Sequence, residues 1–168
     1  TVVAGNFPPE ANARGPLVSG RYAAHTASLN TGSIGVALAA MHGARERPFT
    51  AGAHPITAAQ IDALARLCAD LCRHYDIAVT RRTVLTHAEV QPTLGVRQAG
   101  KWDVTWLPGM AAPGDPIEVG ARLRLRIGEA LDPPARPAPM PQPPQPSHPL
   151  EPFLEALRAL AALFTRRT

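Results

Sequence analysis

PITAAQIDALARLCADLCRHYDI, Pro55–Ile77, is the stretch that decides the fold. Thr57 and Gln60 stand in the T-x-x-Q spacing of a capping box. There the hydroxyl accepts from the third backbone N–H, and the amide reaches back to the cap. Behind this start Ile61, Leu64, Ala65, Leu67, Cys68, Leu71, Cys72 and Tyr75 recur at three- and four-residue steps. Asp62, Arg66, Asp70 and Arg73 fall mostly elsewhere. The pattern predicts an amphipathic helix from Thr57 to Tyr75–Asp76, with one face in a core and the other in water. Cys68 and Cys72, the only cysteines in the chain, share the apolar face. A helix seldom lets such a pair bridge, and the spacing is neither a zinc knuckle nor a redox CxxC. Both are expected as reduced core residues.

Outward from this helix the chain reads as a mixture of strands and helices. On the C-terminal side, Ile77–Val79 and Thr83–Leu85 are strand-like, and the second run hands His87 to a loop. The triplet Lys101-Trp102-Asp103 follows. An imidazole, an ammonium and a carboxylate brought together suit a hydrolytic zinc centre, because zinc takes nitrogen and oxygen ligands and lowers the pKa of bound water. A nearby cation then stabilises the oxyanion formed at an attacked carbonyl. Taken from spacing alone, His87 reads more readily as a core histidine at a strand end. Val119, Leu123, Ile127 and Leu131 predict a second helix over Ile117–Ala130, with Arg122 and Arg126 on its polar face. On the N-terminal side, Ser33–Ala40 (SIGVALAA) reads as a buried strand between Gly- and Pro-rich loops at residues 5–32 and 42–55. Thr1–Gly5 resembles the end of a hairpin strand, so the natural N-terminus is expected upstream.

The composition changes sharply after this region: ten of the nineteen prolines lie between Asp132 and Pro152. Proline favours an extended, semi-rigid spacer. The folded domain is therefore expected over residues 1–131, a Pro-rich linker over 132–149 and a short amphipathic helix over 150–168. Leu154, Leu157, Leu160 and Leu163 form the apolar side of that helix. It can pack back on the domain, self-associate into a homo-oligomer, or lie on a membrane surface.

Apolar residues make up 45% of the 168 and charged residues 18%, which argues for a folded chain over a disordered one. The formal charge is +4, but the arginines are scattered and aromatics are only 5%, unlike a nucleic-acid binder with its clustered basic face. A basic surface also suits an anionic polymer such as bacterial wall. No apolar run reaches the ~18–20 residues of a membrane span, and no signal peptide is visible.

Four segments, taken in order, carry a family resemblance. His25–Leu38 (HTASLNTGSIGVAL) resembles the "HA…N…SIGI" strand of the zinc-dependent N-acetylmuramoyl-L-alanine amidases, the type 2 group similar to phage T7 lysozyme and the peptidoglycan recognition proteins. Pro48–Ile77 resembles their "T..Q...L..L...L...Y.I" helix, Thr83–Pro92 their "I.GH.EV.P" segment, and Gly100–Pro108 their "K.D" ligand segment. The resemblance implies an α/β domain, with a mixed central β-sheet flanked by helices. It implies hydrolysis of the amide between N-acetylmuramic acid and the L-alanine of the stem peptide of peptidoglycan. Residue by residue, His87 and Asp103 look like two ligands of Zn2+, and Lys101 looks like the catalytic lysine. His25 matches a histidine lining the substrate cleft, with Asn30 beside it, although a loop histidine bonded to nearby backbone is the plainer reading. Trp102 either walls the metal pocket or fills core. Gly95–Gly100 (GVRQAG) is expected as a surface excursion, with Arg97 as a candidate for a stem-peptide carboxylate. The family's first zinc ligand and its catalytic Tyr or Glu have no match here and are expected before Thr1, which leaves this chain alone with little activity. The implied setting is a phage or prophage lysin acting on the cell wall. The alternative is a peptidoglycan-binding protein that kept the fold and lost catalysis.

Overall fold

A computed structural model describes residues 1–132. The predicted Pro-rich linker, apart from Asp132, and the predicted C-terminal helix lie outside the described residues. Three α-helices organise the chain: α1 (Ala58–His74), α2 (His87–Leu94) and α3 (Pro116–Leu131), preceded by one 3-10 turn at Pro9–Asn12. The capping box forms as the sequence predicts. Thr57 accepts from the Gln60 N–H, and the Gln60 amide oxygen accepts from the Thr57 N–H at 3.0 Å. At the other end of the domain Asp115 caps α3 by accepting from the Ile117 and Glu118 N–H groups.

The core lies between α1 and α3. Ile61, Leu64, Ala65 and Ala69 of α1 meet Val119, Leu123 and Ile127 of α3, with Ile56 and Leu107 closing the ends. Ile127 is fully buried. Burying a side chain of this size contributes about 1.5–3 kcal/mol, so these two stripes are the main cohesive element. Cys72 is buried and Cys68 half-buried, and both are free thiols, as expected. α2 touches α3 through a buried ion pair. Glu89 is 0% exposed, its Oε1 lies 2.8 Å from Arg124 Nη2, and its Oε2 accepts from Arg124 Nη1 at 3.0 Å. The Oε1 contact is an ion contact outside hydrogen-bond angles. Gly120 lets the helices approach, because any β-carbon there would overlap the Glu89 carboxylate.

The expected central sheet is not present. Among the described residues no strand forms, and the single β-bridge, Arg45 with Thr50, is isolated. Ser33–Ala40, Ile77–Val79 and Thr83–Leu85 are apolar enough for strands but form no ladder among the described residues, and several of their polar groups find partners elsewhere. The Thr83 hydroxyl donates to the Ala78 carbonyl, and Val84 N–H donates to the Thr80 carbonyl. The Gln60 amide donates to the Ala39 carbonyl at 3.2 Å. Gly35 packs against His25, with a β-carbon position only 2.6 Å from the ring. The α/β expectation is therefore corrected to an all-helical arrangement with long, turn-rich connections.

Those connections are ordered by side chains. Asn12 is buried and stitches the N-terminal loop: its amide donates to the Ala23 and Asn30 carbonyls at 2.8 and 2.9 Å, and its oxygen accepts from the Ala23 N–H at 2.9 Å. A buried, fully used amide of this kind stands in for the missing ladder.

Candidate functional site

His87 does not sit in a loop; it opens α2. Thr86 caps that helix and forms a second capping box with Glu89, whose Oε2 accepts from the Thr86 N–H at 2.9 Å. The same carboxylate is held by Arg124, so the helix start that presents His87 is anchored to α3. One orphan donor of the first turn, the Ala88 N–H, is met at 3.4 Å by the backbone carbonyl of Asp103. That contact brings the Asp103 segment alongside His87.

Asp103 stands on a tight turn. Thr105 N–H and its hydroxyl both donate to the Trp102 carbonyl, at 3.1 and 2.9 Å. Val104 is held in the left-handed region at φ 60°. That conformation costs a β-branched residue of order 1–3 kcal/mol, and it persists where the surroundings over-determine it. Buried Thr105, locked by the Gly114 N–H to its carbonyl at 2.8 Å, supplies that restraint. The result is a carboxylate aimed at the imidazole: His87 Nδ1 lies 3.2 Å from Asp103 Oδ2.

The other face of the ring meets Gln98, which is only 5% exposed. Gln98 Nε2 donates to the Ala27 carbonyl at 3.1 Å, so its Oε1 turns to His87 Nε2 at 2.9 Å. An amide oxygen accepts only, so the proton of a neutral ring sits on Nε2. Nδ1 then points a lone pair at a carboxylate. Two acceptors at that distance require a cation between them or a proton on the ring.

Lys101, two residues before Asp103, lines both of two clefts, one of about 770 Å³ and one of about 420 Å³; His87 and Asp103 are among the lining residues of neither. Its side chain makes no hydrogen bond or ion pair among the described residues. Trp102 lines the larger cleft. Trp106 is turned toward the core, where its ring meets Phe49 at 5.6 Å and its Nε1 donates to the Met110 carbonyl.

The family model for N-acetylmuramoyl-L-alanine amidase matches residues 10–109, more than half of the chain, and these residues include His25, His87, Lys101 and Asp103. The chain belongs to this family. Searches of curated proteins and of solved structures return no match. The amidase family acts on peptidoglycan, and no helix among the described residues is long and apolar enough to cross a membrane.

In this amidase the other sequence-selected residues are placed as follows. The His25 ring lies between the Thr26 and Ser33 hydroxyls, at 2.9 and 3.4 Å. Asn30 Oδ1 accepts from the backbone N–H groups of His25 and Thr26, both at 2.9 Å, so its amide holds the turn that carries His25. Arg97 is exposed. The residue that sequence reading missed is Gln98. GVRQAG is not wholly a surface excursion, since Gln98 turns inward while its neighbours stay out. Glu89 lies within the Thr83–Pro92 segment, and its T-x-x-E spacing from Thr86 is the local signal for the cap it closes.

The donor chemistry fits zinc in kind: an imidazole Nδ1 and a carboxylate converge, and the ring's other nitrogen is oriented by a buried amide. It falls short in number. Among the described residues no group of three His, Cys, Asp or Glu side chains gathers to hold a metal.

Proposed function

We propose that this chain is the hydrolytic domain of a zinc-dependent peptidoglycan amidase, which cleaves the bond between N-acetylmuramic acid and the L-alanine of the stem peptide. The observation that carries the reading is the convergence of His87 Nδ1 and Asp103 Oδ2 at 3.2 Å, with Gln98 holding the ring so that a lone pair faces the carboxylate. His87 and Asp103 would hold the zinc together with a ligand from outside the described residues. The bound ion would supply an activated water and charge stabilisation. Lys101, at the cleft junction, donates to the carbonyl oxygen as negative charge builds on it. Trp102 shields one side of the cleft from water. His25 would serve as a substrate-binding residue from the turn whose Ala27 carbonyl accepts from Gln98. The site of action is the cell wall.

The test is release of stem peptides from purified wall by the complete protein. Loss of release on chelation, restoration by zinc, and loss in His87→Ala, Asp103→Ala and Lys101→Met support the reading. Release that survives both chelation and His87→Ala refutes it. One observation favours a second reading, a binder without catalysis: the described residues bring only two ligands together. Wall binding with no release by the complete, zinc-loaded protein selects that reading.

A further inference from the structure

Gln98 joins the His87 ring to a turn far away in the chain. Its backbone N–H donates to Gln91 Oε1 on α2 at 3.1 Å, which fixes where Gln98 sits. An amide so placed can still face the ring with either end, because its oxygen accepts and its nitrogen donates. The Ala27 carbonyl, an acceptor only, decides between them by taking Gln98 Nε2 at 3.1 Å. The Val96 carbonyl, at 3.5 Å, is the weaker second acceptor. Ala27 and Ser28 form the exposed tip of a turn closed by the Leu29 N–H on the Thr26 carbonyl at 3.1 Å. Ser28 is in the left-handed region at φ 62°, a conformation that persists where the surroundings impose it. Asn30 supplies that restraint. Its Oδ1 accepts from the His25 and Thr26 N–H groups, both at 2.9 Å, and its carbonyl accepts from buried Asn12 at 2.9 Å.

We infer that Asn30 is a positioning residue for His87, acting through the Ala27 carbonyl and the Gln98 amide, and not a contact to substrate. This deepens the amidase reading and rests on it for the role of His87 toward zinc. The physical step is a choice between two amide orientations. With the Ala27 carbonyl in place, Gln98 Oε1 faces His87 Nε2 at 2.9 Å. The proton of a neutral ring then stays on Nε2, and Nδ1 keeps its lone pair toward Asp103. With that carbonyl displaced, the amide is free to turn its nitrogen to the ring. Nε2 then becomes the acceptor, and the neutral ring carries its proton on Nδ1, where a metal would bind. The turned amide therefore competes with zinc. Asn30 itself has little left for a ligand. Its two backbone partners occupy both lone pairs of Oδ1, so only the Nδ2 donor could reach a substrate.

The test compares two variants of the complete protein. Asn30→Ala removes the acceptor; Asn30→Asp keeps it and loses the amide donor. Zinc affinity is read by competition with a chromophoric chelator, and hydrogen exchange of the Gln98 side-chain amide by NMR. Asn30→Ala is expected to bind zinc roughly tenfold more weakly, the lower end of what a partner behind a ligating histidine contributes. Its Gln98 amide protons should exchange roughly tenfold faster, the equivalent of one lost hydrogen bond. Asn30→Asp should stay within about twofold of wild type on both readouts, because its carboxylate accepts from the same two N–H groups. If Asn30→Ala does not fold, Asn30→Ser, with one acceptor on a shorter side chain, is read in its place against the same thresholds. Wild-type values in both variants overturn the assignment, as does a fall in Asn30→Asp equal to that in Asn30→Ala. Weaker zinc binding without faster Gln98 exchange overturns it too. A substrate contact through Nδ2 would instead raise KM in both variants with zinc affinity and exchange unchanged. If the wild type binds no zinc, the metal reading fails on its own, and Gln98 exchange in the metal-free protein decides: faster in Asn30→Ala supports the assignment, equal overturns it.

Discussion

Replacing Gly120 by alanine should destabilise the domain and disturb the active centre together, although alanine is the better helix former. Gly120 lies on the buried face of α3, and a β-carbon there overlaps both oxygens and the carboxyl carbon of Glu89. The carboxylate has no room to swing away. It is pinned on one side by the Thr86 N–H at 2.9 Å and on the other by Arg124 at 2.8–3.0 Å, and it is 0% exposed. Breaking a buried ion pair costs about 3–5 kcal/mol, and overpacking a tight contact about 1–3 kcal/mol. The helix propensity gained from Gly to Ala returns up to about 1 kcal/mol. Summed and offset by that gain, these costs give an expected net loss of about 3–7 kcal/mol. Gly128, one helical stretch further on, has open space at its β-carbon position and is the matched control. Gly128→Ala should be neutral or stabilising by up to about 1 kcal/mol. Denaturant unfolding of the full chain measures both. Because Glu89 also closes the capping box of α2, Gly120→Ala should shift the His87 ring resonances, whereas Gly128→Ala should leave them in place. A Gly120→Ala protein as stable as the Gly128→Ala protein would refute the reasoning.

Two further outcomes follow from single side chains. Gln98→Ala should weaken zinc binding by the complete protein roughly 10–100-fold, the usual effect of removing a partner that orients a ligating histidine; calorimetric affinity within twofold of wild type would show that the ring is oriented by other means. Burial, with Cys72 beside it, pushes the Cys68 thiol up from 9.0 to about 11. The folded state therefore keeps its proton longer than the unfolded state. Stability from this group is fully present below pH 9 and is lost as pH rises through about 11. Unfolding of wild type and Cys68→Ala at pH 8 and 11 should show the difference shrinking at the higher pH, and thiol reagents should modify native Cys68 slowly at pH 8.

α1 was legible because its cap, period and polar face all point the same way, and Thr57, Gln60 and Ile61–Cys72 act over a single turn or two. α3 was legible for the same reason, and its expected start at Ile117 differs from the observed Pro116 by one residue. α2 was not. THAEV carries the T-x-x-E capping box, but a helix of eight residues with Pro92 inside has too little apolar period to stand out from a strand end followed by a loop. The strands failed for the opposite reason. Short apolar runs identify residues that avoid water but say nothing of a hydrogen-bonding neighbour, which is a long-range property. In these segments the Ala78 carbonyl is met by the Thr83 hydroxyl, the Val84 N–H by the Thr80 carbonyl and the Val84 carbonyl by Arg124 instead.

The same division holds at the site. Sequence alone determined which chemistry-bearing residues are present: His87, Lys101 and Asp103, in the order and company that mark the amidase family. It also determined the helical stripes that bury them a platform. Tertiary structure alone decided that His87 Nδ1 meets Asp103, because the Ala88 N–H needed a carbonyl and the turn at Val104 supplied one. Tertiary structure also chose Gln98 to orient the ring and buried Glu89 against Arg124 beneath Gly120. Each of these contacts joins residues far apart in the chain. Periodicity and caps report on neighbours a few residues away, whereas distant partners are selected only when the whole chain must satisfy its buried polar groups at once.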